Sequence, residues 1–197
     1  MLPTPSQTVG PFYGYALPFP QGGQIAPAGI ALTGIAPAGP DARAITIHGH
    51  VHDGAGEPVP DALLEIWQPA PDGSRTGAPG SLRRDQTTGG YAGRDGVTFT
   101  GFGRVATDPD GSYAFQTLSP GGVPYLSVCV FARGLLHHLF TRIYLPLPGV
   151  DWESDPLLAG LDPDRRRTLI AEPVAERVYR FDVHLQGDKE TVFLDFR

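Results

Sequence analysis

The sequence predicts an all-β protein, an antiparallel β-sandwich of about eight short strands with an extended N-terminal arm and long loops. Three observations carry this. Gly 26 and Pro 21 are spread through the 197 residues, which marks frequent turns rather than long helices. Apolar and polar residues alternate over several short runs, the period of a strand with one buried face. Hydrophobic content of 41% and charged content of 18% are those of a globular chain. A chain of this length buries roughly 70% of its unfolded surface and needs no covalent staples.

Residues 1–40 are expected to form the arm and 41–197 the sandwich domain. Pro3, Pro5, Pro11, Pro18, Pro20, Pro27, Pro37 and Pro40 exclude a long helix or an ordinary central strand. A disordered tail is one reading of this segment. Phe12, Tyr13, Tyr15, Leu17 and Phe19 favour an arm that packs on something, because disordered tails are poor in aromatics. From Ala44 the period changes to two. Ile45, Ile47 and Val51 fall on one face, with Thr46, His48, His50 and His52 on the other, and Asp53-Gly54 ends the strand as a turn. Ala62–Trp67 reads as a second strand, and 69–94 as a long loop of the kind that is usually functional or holds a partner. Gly103–Thr107 and Ser112–Leu118 read as a hairpin around Asp108-Pro109-Asp110-Gly111. Tyr125–Ala132 is the most apolar run and is expected to be central, followed by Leu139–Leu145. Asp162–Ile170 reads as a short helix with Asp162 as N-cap and Pro163 at its first position. Val178–Leu185 and Thr191–Phe196 read as the last strands.

Charge and cysteine usage narrow the function. The formal net charge is −6, and no basic face of the kind a nucleic-acid binder shows is visible. The longest basic run, Arg165–Arg167, follows Asp162-Pro163-Asp164 and reads as an exposed helix start. The single cysteine, Cys129, excludes an internal disulfide and any multi-cysteine metal site, and its apolar neighbours predict a buried, inert thiol. Met1–Gly10 lacks the features of a signal peptide. No apolar run approaches the ~18 residues of a membrane span. A cytoplasmic protein without nucleic-acid or membrane partners is expected.

Chemistry read from the residues alone is sparse. His48, His50 and His52 share a strand face at a spacing of about 6.5–7 Å, so three imidazoles could ligate zinc or iron. The same pattern is that of a solvated strand face, since no carboxylate follows there and ligand sets usually draw on several elements. His137-His138 and the lone His184 form no further set. No Ser-His-Asp arrangement, P-loop or dinucleotide fingerprint is present.

Three segments carry more than local structure. Thr4-Pro5-Ser6-Gln7-Thr8-Val9-Gly10-Pro11-Phe12-Tyr13 resembles the N-terminal signature of the alpha chains of intradiol aromatic-ring dioxygenases that cleave protocatechuate. Gly49-x-Val51-x-Asp53-x-x-Gly56-x-Pro58-Val59-Pro60-Asp61-Ala62-x-x-Glu65-Ile66-Trp67-Gln68 resembles the core block of the whole family. Val130-Phe131-Ala132-Arg133-Gly134-Leu135-Leu136, followed by Thr141-Arg142-Ile143-Tyr144, resembles the alpha form of the block after the iron ligands. Asp108 to Pro120 fits the shared hairpin with its Ser-Pro-Gly ending.

The resemblance implies an enzyme that cleaves 3,4-dihydroxybenzoate with O2 to 3-carboxy-cis,cis-muconate, in aromatic catabolism by the beta-ketoadipate route. The family holds Fe(III) with two tyrosinates and a His-x-His pair. Here those positions fall near Arg75 and Val123, and at Tyr125 and Ser127, so no such donor set can be assembled. The implied arrangement is a chain with no metal ligands of its own, beside a beta chain that holds Fe(III). Thr8, Gly10 and Pro11 match family positions over the substrate, and Arg133 matches an alpha-chain arginine at the same site. A guanidinium suits a carboxylate or anionic oxygen in a dry cleft. Two other readings compete. One is a non-catalytic module, transthyretin-like or carbohydrate-binding. The other is a self-sufficient metalloenzyme built on His48, His50 and His52.

Overall fold

In the computed structural model, residues 7–19, 21–26, 44–77, 82–94 and 99–196 are described. In chain order they form α1 (Tyr13–Ala16), β1 (Ala44–His52), β2 (Leu63–Trp67), β3 (Leu82–Arg84), β4 (Tyr91–Arg94), β5 (Phe102–Ala106), β6 (Ser112–Leu118), β7 (Tyr125–Phe131) and β8 (Leu139–Tyr144). A 3-10 turn at Trp152–Ser154 follows, then α2 (Pro156–Ala159), α3 (Pro163–Arg167), β9 (Glu172–Ala175), β10 (Val178–Arg180) and β11 (Val183–His184).

Two sheets face each other. One has five strands, with β1 at its centre, β6 on one side, β10 and β11 on the other, and β9 outermost beside β10. The second has four strands in the order β5-β2-β7-β8, all antiparallel, so the apolar run at Tyr125 is an inner strand as expected. Alternation decides which side chains meet between them. Ile45, Ile47 and Val51 from β1 and Phe115 from β6 pack on Leu64, Ile66, Leu126, Val128 and Ile143. Each such aliphatic side chain contributes roughly 1.5–3 kcal/mol by leaving water. The half-exposed His48, His50 and His52 alternate with the buried residues of β1.

The arm packs, as its aromatics predicted. Tyr13, Phe19, Ile25 and Ala26 are buried. Its backbone also bonds to both sheets: Arg104 of β5 donates to Gly22 at 3.0 Å, and Ile25 donates to Gln116 of β6 at 2.7 Å. One segment thus straps the two sheets along an edge. The expected arm–domain boundary at residue 40, and Thr4, Pro5 and Ser6 of the motif, lie outside the described residues.

The structure departs from the expectations in six places. Gly103–Thr107 and Ser112–Leu118 do not pair as a hairpin: β5 pairs with β2 in one sheet and β6 with β1 in the other, so the Asp108–Gly111 turn is a corner between the sheets. The five-stranded sheet is mixed, because β10 and β11 run parallel to β1. Alternation reveals the buried face and says nothing of strand direction. The run 178–185 is divided in two, because at Phe181 and Asp182 the chain presses against β1. Phe181 donates to the His48 carbonyl at 2.8 Å, and the Asp182 carboxylate accepts from the His50 N–H at 3.0 Å. A Cβ at Gly49 would lie 1.9 Å from the Phe181 carbonyl oxygen, so only glycine fits there. The 69–94 loop contains the β3–β4 hairpin. Thr191–Phe196 forms no strand, making only an isolated bridge between Leu194 and Phe140. Finally, α3 is shorter than expected and the Asp162 side chain makes no capping bond; Pro163 sets its start.

Candidate functional site

The first candidate region is the corner where the arm meets the turn after β7. Gln7 and Val9 line a cleft of about 240 Å³ with Phe131, Ala132, Leu135 and Leu136. Two contacts fix the arm there. The Tyr13 hydroxyl donates to the Asp61 carbonyl, and the Arg133 guanidinium pairs with the Asp61 carboxylate. Burial pushes the Tyr13 hydroxyl's pKa up and the Asp61 charge adds to this, while the Arg133 N–H and charge oppose it. Thr8 and Pro11 are exposed in the same stretch, and Gly10 is half-exposed. Gly10 has φ +78°, a conformation that favours glycine. All four residues expected to face substrate therefore sit on one corner. Arg133 is 67% exposed, so its ion pair adds little stability and mainly orients the guanidinium.

The second region is the outer face of the four-stranded sheet. Cross-strand register places Phe102, Trp67, Ser127 and Arg142 in one row across β5, β2, β7 and β8. Tyr125 and Tyr144 form the next pair. The four positions implied for iron ligands do converge: Arg75, Val123, Tyr125 and Ser127 line one slot of about 230 Å³ with Trp67 and Gln68. Their chemistry does not suit a ferric ion. They offer a guanidinium, an alkyl group, one phenol and one hydroxyl, not the anionic and imidazole donors such a metal needs.

Val123 and Tyr125 also border a larger cleft of about 830 Å³ that contains Arg142, Leu147 and Asp155. Arg142 stacks its guanidinium 4.1 Å from the Tyr125 ring centroid and donates to the Tyr144 hydroxyl at 2.9 Å. Its other neighbour is the Asp155 carboxylate at 4.0 Å. Burial pushes the Tyr144 hydroxyl up to about 12, so it stays protonated at neutral pH. Sequence reading missed this network, and also the role of Asp61. The signal for Arg142 was a charged residue inside the apolar run Leu139–Leu145, a place where only a paired cation is tolerated.

The histidines do not assemble a ligand set. His52 stacks on His184 at 4.8 Å between centroids, and His50 lies 5.9 Å from His52 with its Nδ1 3.8 Å from Asp182. Among the described residues no group of three or more His, Cys, Asp or Glu is arranged to hold a metal ion. Cys129 is half-buried rather than fully buried, because it shares the outer face with Ser127. Burial, with the facing Glu65, pushes its thiol up to about 12, so the expectation of an inert thiol stands. No helix among the described residues is long and apolar enough to cross a membrane.

Comparison with known proteins adds the following. A family model described as dioxygenase matches residues 36–134. The chain is 38% identical to a protocatechuate 3,4-dioxygenase alpha chain of Burkholderia cepacia, over 98% of this chain and 96% of that one. It is 34% identical to the alpha chain of the same enzyme from Pseudomonas putida, over 100% of this chain and 98% of that one. A Burkholderia cepacia beta chain is 26% identical, over 75% of this chain and 66% of that one. Among solved structures, the dioxygenase domain of a carbohydrate-binding fusion protein from Streptomyces sp. SirexAA-E has a similar fold. Its TM-score is 0.53 at 23% identity, covering 94% of this chain and 99% of that one.

Proposed function

The chain belongs to the intradiol ring-cleavage dioxygenases, among the protocatechuate 3,4-dioxygenase alpha chains, and from that premise we propose that it forms the wall of an active site whose iron a beta chain holds. The reaction is cleavage of 3,4-dihydroxybenzoate between its hydroxyl-bearing carbons, with both atoms of O2 entering 3-carboxy-cis,cis-muconate. When bound, ferric iron supplies Lewis-acid activation of the catecholate toward O2. The observation that carries the division of labour is the slot at Arg75, Val123, Tyr125 and Ser127, where the donors are missing.

The residues of this chain then bind and shield. Arg133, steadied by Asp61, offers a planar pair of N–H donors to an anionic oxygen. Thr8, Gly10 and Pro11 cover that corner, where excluding water strengthens the charge-assisted bond. The net charge of −6 gives an anionic substrate no general attraction, so recognition is local. A cytoplasmic location fits a chain whose single cysteine supports no internal disulfide.

The test is co-expression with a beta chain, followed by iron analysis, the visible tyrosinate–Fe(III) band, and O2 uptake with protocatechuate. Iron, colour and turnover are expected in the complex and not in the isolated chain. A coloured isolated chain with one iron each would overturn the division of labour. A stable, iron-loaded complex that takes up no O2 would favour a non-catalytic module.

A further inference from the structure

The slot beside Trp67 has a composition that a mere remnant does not require. Trp67 closes a strand whose other face is core, yet it is 55% exposed and packs its ring on Phe102 at 4.6 Å. Facing it are Val123 and the Tyr125 ring, the latter backed by the Arg142 guanidinium. The walls are therefore apolar and aromatic. Arg75 stands on the rim, with no ion pair among the described residues. Ser127 adds a hydroxyl, and no carboxylate lines the slot among the described residues. Gln68 is a fixed wall, since its amide donates to the Leu118 carbonyl at 2.8 Å and accepts from Thr117 at 2.7 Å.

We infer that this slot is a second, non-catalytic binding site for a single-ring aromatic carboxylate. Size selects one ring. The slot holds about 230 Å³, below the ~300–1,000 Å³ of pockets for larger ligands. Chemistry selects the class. Flanking Trp67 and Tyr125 suit a flat ring, and Arg75 matches a carboxylate with two parallel N–H donors. Among the described residues a sugar would find too few polar partners, and a phosphate too few cations. The larger cleft past Val123 and Tyr125 leaves room for ring substituents.

The experiment is equilibrium dialysis of labelled benzoate and 4-hydroxybenzoate against the alpha–beta complex, with the visible iron band recorded in parallel. Two equivalents per alpha–beta pair are expected, only one of which perturbs the iron band. Arg75→Ala should weaken the band-silent equivalent about ten-fold or more, and leave the band-linked one unchanged. Arg133→Ala should do the reverse, so failure of this proposal and failure of the Arg133 assignment are distinguishable. Quenching of Trp67 fluorescence by benzoate in the isolated chain, lost in Trp67→Phe, is the second expected result. A single equivalent per pair, or equal affinity in wild type and Arg75→Ala, would overturn the inference.

Discussion

Arg133 and Asp61 are joined by an ion pair that links the turn after β7 to the segment entering β2. In the assembled enzyme, Arg133→Ala is expected to lower kcat/KM for protocatechuate about ten- to a hundred-fold, the equivalent of roughly 1.5–3 kcal/mol for one charge-assisted hydrogen bond. Iron content should not change. Arg133→Lys should recover only part, because the planar fork is lost. Steady-state O2 uptake beside metal analysis checks this, and full activity in Arg133→Ala would reduce the residue to a surface role.

Tyr13 ties the arm to the same Asp61 through its backbone carbonyl. Tyr13→Phe keeps the ring packing and removes that bond, so unfolding should become easier by about 0.5–1.5 kcal/mol. The arm should also be cut faster by protease. Urea titration and a proteolysis time course measure the two effects, and identical curves would show that the hydroxyl holds nothing.

Gly49→Ala should be among the most damaging single-methyl changes. The new methyl meets the Phe181 carbonyl backbone, which cannot move without parting β1 from the chain between β10 and β11. A loss of roughly 1–3 kcal/mol is expected from overpacking. Gly56→Ala is the informative contrast, since its Cβ would meet nothing within 4 Å and only its φ of +83° is strained. A smaller effect at Gly49 than at Gly56 would contradict this account.

Burial, and then its stacked partner His52, push the His184 pKa below the ordinary imidazole value of 6.5, with Lys189 adding to this and Asp182 opposing. The folded state thus favours neutral His184 more than the unfolded chain does. The associated stability is fully present above about pH 6.5 and declines as pH falls toward the lower folded value. Thermal midpoints should drop between pH 7 and pH 5, and His184→Gln should flatten that drop. An unaltered slope in His184→Gln would refute the assignment.

How much of this was legible in the sequence varies by physical cause. The sandwich was legible because Ile45, Ile47 and Val51 announce a buried face through period alone. The slot was locatable because segment motifs counted along the chain reached Arg75, Val123, Tyr125 and Ser127. What could not be read depended on pairing. The parallel match of His52 with His184, the strap of Gly22 and Ile25 across both sheets, and the pairing of Arg133 with Asp61 are contacts between distant segments. Nothing local in either partner encodes them. Arg142 was visible as an anomaly, but its partners Tyr125, Tyr144 and Asp155 appear only once register is known.

The parallel seam along β1 has a consequence for biosynthesis. Residues 46–52 emerge early from a ribosome, whereas their neighbours at 178–184 are made more than a hundred residues later. Until then β1 has only β6 beside it, and its other edge is an open row of amides that invites pairing with another nascent chain. Contacts so far apart in sequence also form slowly. The chain should therefore complete its sheet only near the end of synthesis, and recovery of native protein should be sensitive to translation rate, chaperone supply and crowding of unfinished copies.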